Sequence, residues 1–191
     1  MSHDPTVLPA NLPAPVDDGA ADHLRGTSLP AITLKATVGS PIQLNLLRRA
    51  VIFIYPRTGV PGKSPGESWD LIPGARGCTP QTCAFRDLFK DLQQAGARHV
   101  FGLSTQDSAY QREMVERLHV PFQVLSDSGL ALTRALGLPT MTIADMILIK
   151  RLALIIDDAV ITHVFYPVFP PDRNAGDVLA WLQANPLPSA R

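Results

Sequence analysis

The sequence predicts one α/β domain in which helices cover both faces of a mainly parallel sheet, with an antiparallel hairpin at one edge. Residues 50–55, AVIFIY, form a near-continuous apolar run typical of a strand buried on both faces. Segments with helical periodicity alternate with short apolar runs, and two extended runs near the end of the chain flank a tight turn. With 191 residues, 46% of them hydrophobic, the chain is long enough for one domain with a substantial core.

Residues 1–22 differ from the rest in being rich in proline and without periodicity, and we predict a flexible tail there. The domain is then expected over residues 23–191. Short extended runs are predicted between Leu29 and Leu46, and the buried strand that follows, at 50–55, ends at Pro56. A segment dense in proline and glycine comes next. We interpret residues from about 60 to 76 as an insert. A loop this long is rarely an idle turn, so it is a candidate functional loop.

A helix is predicted directly after Cys78. Thr79 is a suitable N-cap, Pro80 suits the first helical position, and Gly96 can end the helix. Residues at i, i+3, i+4 and i+7 give it one apolar stripe, formed by Phe85, Leu88, Phe89 and Leu92. The predicted helix therefore packs one face on the sheet.

The alternation continues with strands predicted at 99–104 and 122–126. Between them, Ser108 and Gln111 form a possible capping box for a helix that ends near His119. Each strand is short and apolar, and each is followed by a helical segment. This is the pattern of a parallel sheet with crossover helices.

After the last parallel strand, Asp127 can cap a helix that ends at Gly137. The runs 152–156 and 160–166 form a hairpin that turns at residues 157–159. Asn174 with Asp177 opens a final helix. The complete order of elements is that of a thioredoxin-like arrangement with an inserted helix.

Composition narrows the class of protein. Lys+Arg and Asp+Glu are 17 each, so the formal net charge is zero, and no basic surface for nucleic acid is expected. We also expect no membrane-spanning helix, because no uninterrupted apolar run reaches about 18 residues. The first residues have neither a basic nor an apolar signal region, so a cytoplasmic location is expected.

Cys78 and Cys83 are the only cysteines. A structural disulfide is not expected, because such bonds are rare in the cytosol and the loop is very short. A zinc site is not expected either, since structural sites use four ligands in paired spacings that the histidines do not show. Redox chemistry and two ordinary buried thiols both remain open on composition alone.

The neighbourhood of Cys78 favours a reactive thiol. The residue lies at a predicted helix N-terminus, where free N–H groups and the positive end of the dipole stabilise an anion. Arg76 is two residues away, and both influences favour the nucleophilic thiolate. In an unbroken helix the Cα atoms of Cys78 and Cys83 would lie roughly 8 Å apart, beyond the limit of about 7 Å for a disulfide. A bond between them would require the first turn to unwind, as in a redox switch.

The segment GCTPQTCAFRDL at 77–88 resembles the active-site segment of peroxiredoxins of the bacterioferritin-comigratory, or Q-type, group. Further landmarks follow the order of that family, over roughly residues 25 to 185. These are IFIYP at 52–56, FGLSTQD at 101–107, FQVLSD at 122–127 and RLALIID at 151–157. Several ordered landmarks are far more specific than a single pair of cysteines.

The resemblance implies roles for three residues. Cys78 matches the peroxidatic cysteine, Cys83 the resolving cysteine, and Arg151 the arginine that holds the thiolate and polarises the peroxide. The mechanism it implies is attack of the Cys78 thiolate on the O–O bond, giving a sulfenic acid. Cys83 then condenses with that acid to an intramolecular disulfide, which thioredoxin or a similar dithiol reduces. No metal, haem, flavin or other cofactor is implied.

The chain departs from the family pattern just before Cys78. The family has a proline seven residues and a threonine or serine three residues before the peroxidatic cysteine, where this chain has Leu71 and Ala75. The Tyr-Pro pair that ends the strand is present at 55–56, but an insert separates it from the cysteine. The residues that bind the peroxide therefore cannot be read directly from the spacing.

Pro56 and Thr58 are predicted to bind substrate if the insert loops outward, with the Thr58 hydroxyl contacting the peroxide. Alternatively, the role of the hydroxyl is lost or is taken by Thr79. Trp69 and Leu71 in the insert either cover the pocket or contribute to packing. Packing is favoured, because tryptophan is usually mostly buried.

Three functions remain to be weighed. The leading one is a thiol peroxidase that reduces hydrogen peroxide or small organic hydroperoxides, acting as a monomer with a dithiol partner. The alternative is a thiol-disulfide oxidoreductase or redox sensor acting on protein partners, although such exchangers usually carry C-x-x-C and this chain has four intervening residues. The third is a binding module that has lost the peroxidase activity.

Overall fold

The computed structural model describes residues 8–9, 11–59 and 67–187, which contain nine β-strands and six α-helices. The strands are β1 (Thr33–Ala36), β2 (Ile42–Gln43), β3 (Ala50–Ile54), β4 (His99–Ser104), β5 (Val124–Ser126), β6 (Thr140–Ile143), β7 (Met146–Ile149), β8 (Leu152–Asp157) and β9 (Val160–Phe165). The helices are α1 (Glu67–Asp70), α2 (Cys78–Asp87), α3 (Phe89–Gln94), α4 (Ser108–Arg117), α5 (Ala131–Leu136) and α6 (Asn174–Ala184).

Seven strands form one sheet in the order β2-β1-β5-β4-β3-β8-β9. The three central strands β5, β4 and β3 are parallel, and the outer strands pair in antiparallel fashion. All five residues of β3 are buried, as its apolar run predicts. The predicted hairpin lies at one edge as β8 and β9, and the thioredoxin-like α/β fold is confirmed.

Helices cover both faces of the sheet, because alternate residues of the central strands point to opposite sides. On one side, Ile52 and Ile54 pack with Leu132 and Leu136 of α5. On the other side, helices α2, α3, α4 and α6 cover a core that includes Val51, Phe53 and Tyr55. The rings of Phe53 and Phe85 stack with centroids 4.1 Å apart, which fixes α2 against the sheet next to the strand end.

The starts of two helices differ from the prediction. Gly77, not Thr79, is the N-cap of α2, because its left-handed φ of 99° lets the helix begin at Cys78 itself. Asp107, not Ser108, caps α4, and its carboxylate accepts the N–H of Tyr110 at 2.8 Å. In α4, the aspartate one position before the predicted cap supplies the side-chain oxygen that accepts the free N–H.

The predicted helix after Cys78 is interrupted at Leu88, so that α2 and α3 are separate. Gly96 follows α3 with a φ of 101°, at the predicted end of the segment. Asp127 acts as predicted, since its carboxylate accepts the N–H groups of Leu132 and Thr133 at the start of α5. Gly137 ends that helix in a left-handed conformation.

A second hairpin, β6–β7, forms a separate two-stranded sheet that the sequence did not reveal. Its turn residues Ala144 and Asp145 have positive φ values of 46° and 62°, without the glycine or asparagine that signals such a turn. The predicted hairpin turns in the same way at Asp158 and Ala159, but its flanking runs were longer and more apolar.

The N-terminal segment (residues 11–22), part of the predicted tail, lies against the domain. Asp18 forms an ion pair with Lys150 at 2.6 Å and accepts a hydrogen bond from the hydroxyl of Tyr166 at 2.7 Å. Leu12 and Pro13 border the same small cleft as Arg76 and Arg151. Residues 1–7 and 10 of the predicted tail, and 60–66 of the predicted insert, lie outside the described residues.

The helices among the described residues are all too short or too polar to cross a lipid bilayer.

Candidate active site

Cys78 is the first residue of α2 and is 3% exposed. Glycine is required just before it, because Gly77 combines positive φ with close packing, and a Cβ there would collide with Pro171 and Leu8. The thiol donates to the carbonyl oxygen of Ala75 at 3.6 Å. The sulfur therefore sits at a helix N-terminus, in a position fixed by tight packing of the backbone.

Arg151 lies beside this sulfur. It immediately precedes β8, is also 3% exposed, and places its Nη2 atom 3.2 Å from the Cys78 Sγ atom. The same nitrogen donates to the carbonyl oxygens of Arg76 at 2.9 Å and Gly74 at 3.2 Å. The segment before Cys78 thus supplies the neutral acceptors that hold the guanidinium against the thiol.

A pair of buried amides fixes the other guanidinium nitrogen. Nη1 of Arg151 donates to the Oε1 atom of Gln81, and the Nε2 atom of Gln81 donates to the Oδ1 atom of Asn174 at 2.9 Å. Because a guanidinium only donates, the oxygen of Gln81 must face Arg151 and its nitrogen must face Asn174. The side chain of Asn174, predicted to cap α6, makes no capping hydrogen bond and instead orients Gln81.

Cys83 lies on the same helix, half-buried and not bonded to Cys78. Burial raises the pKa of the Cys83 thiol, Arg86 acts in the opposite direction, and Asp87 adds to the increase. The hydroxyl of Thr82 donates to the carbonyl oxygen of Cys78 at 2.9 Å. This hydrogen bond joins the first and last residues of the helical turn that separates the two cysteines. This is a reduced, helical arrangement in which the two sulfurs have different electrostatic surroundings.

The redoxin family model matches residues 24–179 of this chain. The chain belongs to the redoxin family, as a peroxiredoxin of the Q type. It is 30% identical over 165 residues to the chloroplastic peroxiredoxin Q of Oryza sativa subsp. japonica, a match that covers 84% of this chain and 67% of the relative. The family supports a thiol-dependent peroxidase activity.

Solved structures agree with this assignment. The chain superposes on the peroxidoxin BcpB of Mycobacterium tuberculosis with a TM-score of 0.67 and 26% identity, over 84% of this chain and 97% of that one. It superposes on Xanthomonas campestris peroxiredoxin Q with a TM-score of 0.64 and 19% identity, over 91% of this chain and 98% of that one. The second likeness concerns the fold alone.

In this peroxiredoxin, the side chain of Thr58 is hydrogen-bonded to a buried amide. Thr58 is 1% exposed, and its backbone N–H and its hydroxyl both donate to the Oε1 atom of Gln106, at 2.9 and 3.1 Å. The Thr58 carbonyl accepts from the hydroxyl of Tyr110 at 3.0 Å. Pro56 is also buried. Their predicted contact with a peroxide stays a prediction.

Tyr55 completes the end of β3 nearest the peroxiredoxin thiol and is fully buried. Burial, and secondarily the sulfur of Cys78, raises the pKa of the Tyr55 phenol well above its ordinary range, while a polar contact with Ser104 lowers it. The phenol is therefore neutral at physiological pH and adds no negative charge next to the sulfur.

Within the part of the insert that the structure describes, Trp69 is a packing residue and Leu71 is a surface residue. Trp69 is 6% exposed and packs with Ala75 and Leu148, whereas Leu71 is 76% exposed. The predicted packing role of Trp69 therefore fits the structure better than a cover over the pocket. Because Ala75 follows Gly74 and precedes Arg76, this small cluster also supports the carbonyl groups that receive Arg151.

Two positioning residues, Gln81 and Asn174, were not predicted from the sequence. Gln81 follows Cys78 by three residues and so shares its side of the helix, a spacing that could have indicated it. Asn174 is distant in sequence and only the packing of α2 against α6 reveals it. The described residues contain no group of three or more His, Cys, Asp or Glu side chains able to hold a metal ion.

Proposed function

We propose that this chain is a two-cysteine peroxidase that reduces hydrogen peroxide and organic hydroperoxides, with Cys78 as the peroxidatic and Cys83 as the resolving cysteine. The observation that carries the proposal is the 3.2 Å contact between the Nη2 atom of Arg151 and the Cys78 Sγ atom. A fixed cation at this distance stabilises a thiolate, which is the nucleophilic form.

In the first step, the Cys78 thiolate attacks the terminal oxygen of ROOH. An S–O bond forms, the O–O bond breaks, and RO⁻ leaves and takes up a proton to become ROH (water when R is hydrogen). Arg151 can stabilise the charge that develops on the leaving oxygen, because its guanidinium already borders the sulfur. Cys78 is left as a sulfenic acid.

In the second step, the Cys83 sulfur attacks the sulfur of the Cys78 sulfenic acid and water is released. Both cysteines lie on one helix five residues apart, so the first turn of α2 must unwind before the disulfide can close. A dithiol such as thioredoxin then reduces the bond by exchange, and is itself oxidised to a disulfide. We further propose that the enzyme acts as a monomer, since both sulfurs belong to one chain. A cytoplasmic location is proposed separately.

Mass spectrometry after addition of one equivalent of hydrogen peroxide tests this assignment. We expect the wild-type chain to lose about two mass units as the disulfide forms, and Cys83→Ser to accumulate a sulfenic acid on Cys78. Cys78→Ser serves as the control and should consume no peroxide. Oxidation of Cys83 first, or a disulfide formed only with a protein disulfide as oxidant, would overturn the proposal and favour thiol-disulfide exchange.

A further inference from the structure

A cavity of about 270 Å³ lies next to Arg151, close to the lower end of the range for small-molecule sites. The N-terminal segment forms one wall, the segment before Cys78 forms another, and the β6 region and the chain after β9 complete it. Most of the lining is apolar. The apolar residues are Pro15, Val16, Ile72, Pro73, Met141 and Pro167.

The cavity shares two residues with the candidate active site. Arg151 borders it and also places Nη2 3.2 Å from the Cys78 sulfur, and Gly74, whose carbonyl accepts from that nitrogen, borders it as well. The Nε atom of Arg151 is buried without a hydrogen-bond acceptor among the described residues, so the guanidinium retains an unused donor. Arg151 therefore contacts the sulfur and also borders the cavity.

The polar end of the cavity is already neutralised. Lys150 and Tyr166 line it, and both contact the carboxylate of Asp18 from the N-terminal segment, at 2.6 and 2.7 Å. The contact with Lys150, followed by that with Tyr166, holds the pKa of Asp18 far below its ordinary value, so the carboxylate stays charged. A substrate carboxylate at Lys150 would lie beside the negative charge of Asp18 and be repelled by it.

We propose that this cavity binds the organic substituent of the hydroperoxide, and that the N-terminal segment makes it selective for apolar, uncharged substituents over those that carry a carboxylate. The inference rests on the proposed peroxidase function and adds the substrate class. During the reaction the attacked oxygen lies between the sulfur and the leaving oxygen, so the substituent points away from the sulfur and departs with its oxygen as the alcohol. The apolar walls supply that place.

Filling the cavity tests the first half of the proposal. Val16→Trp and Met141→Trp reduce its volume from two different walls, and Val38→Trp, at an exposed position outside the lining, is the matched control. With dithiothreitol as reductant, we expect kcat/KM for cumene hydroperoxide to fall about tenfold or more in both cavity variants. The value for hydrogen peroxide, which has no substituent, should change less than about twofold.

An equal fall for both substrates, or no fall for cumene hydroperoxide, would overturn the assignment of the cavity. Two variants are used because one large side chain alone can turn toward solvent. If the wild-type chain consumes no hydrogen peroxide at all, the proposed function fails, and this result is distinct from a loss of selectivity among peroxides.

Removing the anchoring charge tests the second half. Asp18→Asn leaves Lys150 without its carboxylate partner, whereas Asp17→Asn makes the same change in net charge one position away. We expect only Asp18→Asn to raise the ratio of kcat/KM for the para-carboxylate of cumene hydroperoxide to that for cumene hydroperoxide itself, by about fivefold. A ratio unchanged by Asp18→Asn, or raised equally by Asp17→Asn, would contradict the role of Asp18.

Discussion

Arg49 and Arg151 are equally buried, each 3% exposed, and they lie at opposite ends of the antiparallel pair β3–β8. Arg49 precedes β3 and donates to both carboxylate oxygens of Asp157 at 2.9 Å. Arg151 precedes β8 and contacts only carbonyl oxygens, an amide and a thiol, and none of the ion pairs among the described residues includes it.

The difference shows what each charge is for. A buried cation is costly unless an anion compensates it, and Arg49 has that anion in the folded protein. Arg151 is held by neutral groups and has no such anion among the described residues. Under the proposed mechanism, the first arginine stabilises the fold and the second stabilises the reacting atoms.

The largest effect should come from removing the charge of Arg151. Arg151→Met is expected to lower kcat/KM for hydrogen peroxide at least about a hundredfold, because the leaving oxygen and the thiolate lose their common cation. Peroxide consumption with dithiothreitol measures this. Arg49→Met is the matched control, and its activity per folded molecule should stay near that of the wild type. A loss below about fivefold in Arg151→Met would remove Arg151 from the mechanism.

Arg49→Met should instead act on stability. Leaving Asp157 without its cation is expected to reduce the free energy of unfolding by about 3 kcal/mol, measured by urea denaturation. The neighbouring pair Arg48–Asp158 is exposed, and Arg48→Met should change the free energy of unfolding much less, because solvent screens this ion pair. Equal effects of the two substitutions would show that burial does not distinguish these ion pairs.

A carboxylate can be given to Arg151 by changing one residue. Gln81→Glu places a negative charge where Nη1 now meets an amide oxygen, so the guanidinium has a permanent anion as Arg49 does. We expect the rate of Cys78 alkylation by iodoacetamide at pH 7 to fall about tenfold, equivalent to about 1.4 kcal/mol. Gln93→Glu, an exposed change on α3, is the control. An unchanged rate in Gln81→Glu would mean that the neutral contact between Arg151 and Gln81 does not affect the reactivity of Cys78.

The smallest effect concerns the second thiol. Arg86 and, more weakly, Arg117 are the cations that lower the pKa of Cys83, but Arg86 already pairs with Asp87 at 2.8 Å, and burial has the larger, opposite effect. Below that raised pKa the thiolate fraction grows about tenfold per pH unit, so disulfide closure should accelerate from pH 6 to 8. Asp87→Asn removes a charge that raises the pKa of Cys83 and should speed closure a few-fold at pH 7, measured by rapid acid quench. A rate independent of pH would show that unwinding of α2 limits closure.

The sequence predicted best those features that the residue types of one short segment determine on their own. The apolar run of β3 indicated the buried strand correctly, and Pro80 with the apolar stripe that follows indicated the helix that carries both cysteines. Arg151 was identified through its strand motif, and the structure places it beside Cys78. These features depend on short segments of chain.

Features that depend on packing between distant segments were not predicted. Asn174 had the signature of a helix cap, but its side chain meets Gln81 because α2 and α6 pack together. The β6–β7 turn uses alanine and aspartate at positive φ, so composition gave no signal for it. The contact of Asp18 with Lys150 joins residues 132 positions apart, which no local pattern records.

The position of the first described residues has a practical consequence. Leu8 lies against Gly77, directly before the reactive helix, while Asn185 after α6 reaches Arg49 at the far end of the sheet. The two ends of the described chain therefore lie near opposite ends of the strand pair β3–β8. A fluorophore attached at residue 8 would therefore report on the start of the helix that carries both cysteines. The same group attached at residue 185 would report on the end of the sheet next to Arg49.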